Sequence, residues 1–218
     1  MTEHRPGMDW QAWHRDYDDP GSPVSRRLVE VRAQLSSVLT AVPGRTRLLN
    51  LCAGDARDTV PVLAALDHEV EACAVELDPD LAERARRTAA EAHVALDVRT
   101  GDAGDPATYV DRLPVDVLML VGVLGNVSDA DAETTIAAAA AMLAPGGTVL
   151  WTRSDRFRAA ATHDYSDPAD WVRDRFGAHG FEHRAYVVPD EGHWRLGVSS
   201  LCTPSVEPLP ERLFRFVR

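Results

Sequence analysis

Few architectures accommodate the stretch Arg47-Leu48-Leu49-Asn50-Leu51-Cys52-Ala53-Gly54-Asp55-Ala56-Arg57-Asp58. An apolar run with β character stops at a small-residue turn, and a helix-compatible segment follows. A second apolar run, Val70 to Val75, ends in Glu76-Leu77-Asp78-Pro79. A strand, a tight turn, a helix and an acid closing the next strand together make a nucleotide-binding crevice. The helix N-terminus faces the ligand and the acid reaches ribose hydroxyls.

The turn itself helps to separate the cofactor classes. A dinucleotide site wants G-x-G-x-x-G, with three glycines for the turn, the pyrophosphate and the helix contact. Here Gly54 stands alone, and Cys52 and Ala56 take the places of flanking glycines. The order of segments instead resembles the class I S-adenosylmethionine-dependent methyltransferases. Asn50-Leu51-Cys52-Ala53-Gly54-Asp55-Ala56 overlays their first motif, an acid and an apolar residue before Gly-x-Gly-x-Gly. Glu76 matches the ribose acid, and Gly101-Asp102-Ala103 follows the third strand. Asp116-Val117-Leu118-Met119-Leu120-Val121-Gly122 matches the fourth strand, and Leu143-Ala144-Pro145-Gly146-Gly147-Thr148-Val149 the turn before the fifth. The departures are Asn50 in place of the acid and the two missing glycines. The whole chain, including Tyr17 to Leu28 and Trp151-Thr152-Arg153, is similar to compact bacterial members of that superfamily.

Charge and composition narrow the function classes. The chain has 218 residues, room for one α/β domain. Formal net charge is −11, and all 23 basic residues are arginine. The lack of lysine removes Schiff-base chemistry, pyridoxal phosphate anchoring and a P-loop lysine. The acidic excess disfavours nucleic acid, since such affinity comes from basic residues neutralising phosphates. Arg26-Arg27 and the stretch from Arg153 to Arg158 are the local basic candidates. No apolar run approaches a membrane span, and the N-terminus shows no signal-peptide core. Three cysteines without a C-x-x-C pair read as buried structural thiols. A cytoplasmic protein, a monomer or a homodimer, is the expectation.

Periodicity predicts alternating strands and helices. Trp10, Trp13, His14 and Tyr17 share one face of a short helix. After a turn with Ser22-Pro23 as N-cap and first position, Val24, Leu28, Val31, Leu35, Val38 and Val42 form an apolar helical stripe. Strands are expected over about 46–52, 69–76, 94–100, 115–121, 148–153, 181–188 and 194–202. Helices are expected over about 56–66, from Asp78-Pro79 to about 92, near 105–112, from Asp129 through the alanine run, and from Asp167-Pro168. Arg212 to Val217 alternates like an edge strand. Only Pro189-Asp190-Glu191-Gly192-His193 separates the last two long strands, too short a link for a parallel crossover, so they should pair antiparallel. The expectation is one domain over 1–218, Rossmann-like. It has a mostly parallel seven-stranded sheet, a C-terminal antiparallel hairpin and an N-terminal helical lid over 1–44, with the core over 45–218.

The resemblance implies S-adenosylmethionine as cofactor and assigns its contacts. Ala53 and Gly54 form the turn against the cofactor, and Glu76 and Leu77 meet the ribose end. Asp102 and Ala103 face the adenine, and Val121 and Gly122 offer carbonyls to the methionine ammonium. Asp58 serves that ammonium or favours the helix dipole. Tyr17 and Arg26 close over the methionine carboxylate. Trp10, Trp13, Asn126, Trp151 and Arg153 are expected toward the acceptor. Methyl transfer is an in-line displacement, and a base is needed only if the acceptor must lose a proton. The candidate bases are His14 and His163. Strand four ends Gly122-Val123-Leu124-Gly125-Asn126-Val127, without the run used by DNA and glutamine amine methyltransferases and without a cysteine. Asp155 alone is insufficient for a metal site, so no metal is expected. The expected reaction is methylation of an oxygen or nitrogen atom of a small molecule of secondary metabolism. The alternatives are an S-adenosylmethionine-binding protein with cyclase-like, pericyclase-like or no catalysis, and a nicotinamide oxidoreductase.

Overall fold

A computed structural model describes residues 15–41, 44–154 and 165–217. Its seven strands are β1 (Thr46–Leu51), β2 (Val70–Glu76), β3 (Leu96–Thr100), β4 (Val115–Leu120), β5 (Leu143–Ser154), β6 (Phe181–Val187) and β7 (Trp194–Leu201). They form one sheet in the order β3-β2-β1-β4-β5-β7-β6. The pairs from β3 through β5 are parallel, and β7 runs antiparallel to both β5 and β6. The short link before Trp194 thus makes the hairpin that its length requires.

The central strands are buried on both faces, which is why they read as continuous apolar runs. Leu49, Leu51, Leu118, Leu120, Val149 and Trp151 point to one face. There they meet α4 (Asp129–Met142) and α5 (Pro168–Ala178). The alternate residues Leu48, Val117, Met119 and Leu150 point to the other face. They meet Val31, Leu35 and Leu39 of α1 (Pro23–Ala41). This helix therefore packs as a layer of the core, not as part of a lid. α2 (Val60–Ala64) and α3 (Pro79–Glu91) complete the βαβ units. Side-chain caps start the helices where the sequence places them. Asp78 accepts from the Asp80 and Leu81 amides, Ser128 from Asp131, and Asp167 from Ala169.

Further expectations differ from the structure, and the helix expected near 105–112 is two 3-10 turns, Pro106–Thr108 and Val110–Arg112. The helix expected over about 56–66 shrinks to Val60–Ala64, because Ala56 is left-handed at φ 57° and prolongs the loop. β5 starts at Leu143, whose pairing with Val115 precedes the register shift around Pro145-Gly146-Gly147. Arg212 to Val217 joins no sheet edge and makes one isolated bridge, Val127 with Phe216. Strand order reverses between β1 and β4, which places the ligand crevice at their C-terminal ends. No helix among the described residues is long and apolar enough to cross a membrane.

Candidate functional site

A cavity of about 740 Å³ opens at that reversal. Cys52 to Asp55 form its floor, beyond the end of β1. Cys52, Gly54 and Ala56 have φ of 59°, 59° and 57°. The loop therefore keeps the left-handed backbone of a three-glycine turn although two of the three residues carry a Cβ. Burial, then the charges of Glu76 and Asp102, pushes the Cys52 thiol well above its ordinary range, so it is held neutral and unreactive.

Glu76 ends β2 beside this floor and is 9% exposed. Its Oε2 accepts from the Gly54 amide at 2.8 Å and its Oε1 from the Asp78 amide at 2.9 Å. Two fixed donors orient the carboxylate, and each oxygen keeps a lone pair for a diol. Leu77 and Asp78 continue the rim, and Asp102 and Ala103 stand opposite at the end of β3. Asp102 is engaged on both oxygens. Oδ1 accepts from the Gly104 amide at 2.8 Å, and Oδ2 pairs with Arg212 at 2.6 Å.

Asp58 lines the cavity and is also 9% exposed. Its Oδ1 accepts from Asn50 Nδ2 at 3.1 Å and from Thr59 Oγ1 at 2.9 Å. No basic side chain pairs with it among the described residues. Burial raises its pKa above the ordinary carboxylate value, against the opposing hydrogen bonds. A buried carboxylate without a cation, facing a cavity, is a receptor for one. Asn50, which replaces the expected acid on β1, does not line the cavity but orients this second acid.

Tyr17 sits in a 3-10 turn, Arg15–Asp18, and closes the same end. Its ring lies 4.4 Å below the Arg57 guanidinium, and its hydroxyl accepts from Arg27 Nη2 at 2.9 Å. Arg27 lines the cavity. The expected Arg26 does not; it points away toward Glu191, at 3.7 Å. One residue of helical rotation separates the two. At the end of β4, Val121 and Gly122 border the cavity, and Gly122 is left-handed at φ 79°. The Gly122 amide donates to Thr152 Oγ1, and its carbonyl accepts from Asn126 Nδ2 at 2.6 Å. That carbonyl is thus already engaged by a cavity-lining side chain.

Two residues expected toward the acceptor lie elsewhere. Trp151 is fully buried on the opposite face of β5, stacked on Phe176 at 5.6 Å, with Gly197 leaving room for its ring. Arg153 is buried beneath the site, paired with Asp129 at 3.0 Å and donating to the Leu124 carbonyl. Strand alternation puts Thr152 and Ser154 in the cavity wall instead. Trp10, Trp13, His14 and His163 lie outside the described residues. The histidine that lines the cavity among the described residues is His193, on the β6–β7 turn. It stands beside Trp194, and only the hairpin's return to the strand ends reveals it. Phe214 and Phe216 complete the wall, although their alternation predicts an edge strand. Cys202 is exposed, not buried, because its strand has ended at Leu201.

Residues 48–147 match the family model described as a methyltransferase domain. Among solved structures, the chain is similar to magnesium protoporphyrin IX methyltransferase from Synechocystis PCC 6803 with bound SAH. The TM-score is 0.65 at 15% identity, covering 88% of this chain and 94% of that one. It is also similar to a methyltransferase from Pyrococcus furiosus, with a TM-score of 0.57 at 17% identity, covering 79% and 82% of the two chains. An O-methyltransferase family protein from Burkholderia thailandensis gives 0.58 at 18%, covering 83% and 58%. A sequence search of curated proteins gives no match. The fold is the Rossmann-like fold of the class I methyltransferases.

Proposed function

We propose that this chain is an S-adenosylmethionine-dependent methyltransferase acting on an oxygen or nitrogen atom of a small molecule of secondary metabolism. The observation that carries the reading is the distribution of acids along one cavity. Glu76 is held by two backbone amides at one end, and Asp58 is buried without a cation at the other. A ligand with a ribose diol and an ammonium group satisfies both. When bound, S-adenosylmethionine supplies a methyl group on a sulfonium sulfur, open to in-line displacement by a lone pair.

The residues of this chain then have separable tasks. Ala53 and Gly54 let the ligand approach the backbone, and Leu77 covers the nucleoside end. Asp102 and Ala103 face the base. Asp58 holds the ammonium, and Tyr17 with Arg27 closes over the carboxylate. Asn126, Ser154 and His193 bound the remaining space, where the acceptor enters. His193, which lines the cavity, takes a proton if the acceptor must lose one, the role that the sequence predicts for His14 and His163. Burial between walls of apolar side chains excludes water from the reacting atoms.

Calorimetry with S-adenosylmethionine, S-adenosylhomocysteine and NADH tests the cofactor. The first two are expected to bind and NADH is not; preferential binding of NADH would overturn the reading. Product analysis with methyl-labelled cofactor tests the reaction. Label in the acceptor supports methyl transfer, and label retained in an unreacted or internally cyclised cofactor refutes it.

A further inference from the structure

The segment Arg212 to Val217 belongs to no strand of the sheet, yet it is fixed across the strand ends. The Leu213 amide donates to the Gly104 carbonyl at 2.8 Å, and the Val217 amide to the Asn126 carbonyl at 2.9 Å. Between these anchors, Phe216 bridges Val127, and Thr135 Oγ1 donates to the Leu213 carbonyl at 3.3 Å. The arm thus ties the loop after β3 to the loop after β4. The sequence makes room for it, since a Cβ on Gly104 would lie 2.3 Å from the Phe214 carbonyl oxygen.

The side chains of the arm meet the nucleoside end of the cavity. Phe214 and Phe216 stand with ring centroids 5.5 Å apart, and both line the main cavity. They also line a side chamber of about 270 Å³ shared with Leu77 and Asp102. Leu77 is 62% exposed at the cavity rim. Two aromatic rings, a bare aliphatic side chain and a carboxylate define a slot for a flat π-system bearing an amino group. Arg212 fixes the carboxylate of Asp102 at 2.6 Å and so sets where it can accept.

We propose that this C-terminal arm is the aromatic wall of the adenine subsite, with Phe214 and Phe216 against the purine and Arg212 positioning Asp102. The inference rests on the cofactor reading above. It assigns to the end of the chain a contact outside the segment that matches the methyltransferase domain.

The test uses the full chain with S-adenosylhomocysteine. In protein with labelled phenylalanine, adenine H2 and H8 of the bound ligand should give NOEs to the Phe214 or Phe216 ring. Phe216→Ala should weaken S-adenosylhomocysteine by about tenfold, and Phe216→Tyr should restore it. Wild type should prefer S-adenosylhomocysteine over S-inosylhomocysteine, which lacks the purine amino group, and Arg212→Ala should narrow that preference. The ligand-free melting midpoint of Phe216→Ala checks the fold, and the NOEs in wild type stand even if that variant fails to fold. If wild type binds no S-adenosylhomocysteine, the cofactor reading fails and the arm proposal with it. If wild type binds but shows no NOE to either ring, the arm proposal alone is overturned.

Discussion

Glu76 and Asp58 show how two carboxylates lining one cavity come to differ. Glu76 is fixed by the Gly54 and Asp78 amides, so removing its carboxylate loses oriented charged hydrogen bonds. Glu76→Ala should cost S-adenosylhomocysteine about 1.5–3 kcal/mol of binding by calorimetry. An unchanged dissociation constant would take Glu76 out of the ribose site. Asp58 is held by neutral donors and raised by burial. Because its folded pKa exceeds the unfolded one, its contribution to stability is full below the unfolded value and is lost as pH rises through the folded value. Ligand binding runs the other way, because an ammonium needs the ionised carboxylate. Affinity for S-adenosylhomocysteine should therefore fall as pH drops through the folded value, which lies above 3.8. 5′-Methylthioadenosine lacks the amino-acid tail and should show no such fall, and Asp58→Asn should weaken only the longer ligand. Equal pH slopes for the two ligands would remove Asp58 from the ammonium site. At this scale the sequence was half legible. Glu76 follows from its place after an apolar strand, whereas Asn50 looks like a lost function until its amide is seen holding Asp58. Cys52 and Ala56 look like lost glycines, yet both adopt the glycine backbone.

Elements meet the site through what lies beneath it. The loop from Gly122 to Ser128 carries Asn126 into the cavity, and Arg153 of β5 holds that loop from below. The guanidinium reaches the Leu124 carbonyl and the Asp129 carboxylate at the start of α4, and both charged side chains are nearly inaccessible, at 5% and 7%. Removing the guanidinium takes a buried partner from Asp129 and leaves the Leu124 carbonyl without its donor. Arg153→Met should cost about 3–5 kcal/mol in urea unfolding, and replacing Asp129 as well should recover much of it. A loss no larger than a surface pair's would mean that water reaches Asp129. The expectation of an acceptor contact at Arg153 failed because one position of strand alternation decides between cavity and underside. Trp151 failed for the same reason. The strands themselves and their antiparallel close were legible, since burial on both faces leaves continuous apolar runs and a five-residue link forbids a crossover. The terminal arm was not. Its alternation matches an edge strand, but its backbone partners are the loop residues Gly104 and Asn126, which no local pattern announces.

Among the described residues, many arginines are set among acids. Arg99 and Arg112 share Asp97 and Asp111, Arg175 pairs with Glu133, and Arg195 with Asp167. Of the local basic candidates, Arg26 faces Glu191, Arg27 donates to the Tyr17 hydroxyl and Arg153 is buried on Asp129, while Arg156 and Arg158 lie outside the described residues. With a net charge of −11, duplex DNA should give no salt-dependent mobility shift at low micromolar protein. A shift that weakens steeply with salt would contradict this. How the chain divides between core and lid yields a sharper test. α1 belongs to the core, for Val31, Leu35 and Leu39 are buried against the sheet. The segment before it is joined differently, through polar and cation–π contacts. Ser22 Oγ donates to the Asp16 carbonyl, Ser25 Oγ to the Tyr17 carbonyl, and Arg57 stacks on the Tyr17 ring. Among the described residues before Ser22, Asp16 and Tyr17 line the cavity, so the lid expectation narrows to the segment that precedes Ser22. Removing residues 1 to 21 keeps the Ser22 cap and every buried residue of α1. The truncated chain should unfold cooperatively near the wild-type midpoint while losing turnover and much of its affinity for S-adenosylhomocysteine. Affinity for 5′-methylthioadenosine should change less, because the missing contacts lie at the amino-acid end. Normal turnover by the truncated chain would show that no lid is needed. Failure to fold would show that the segment staples α1 to the sheet.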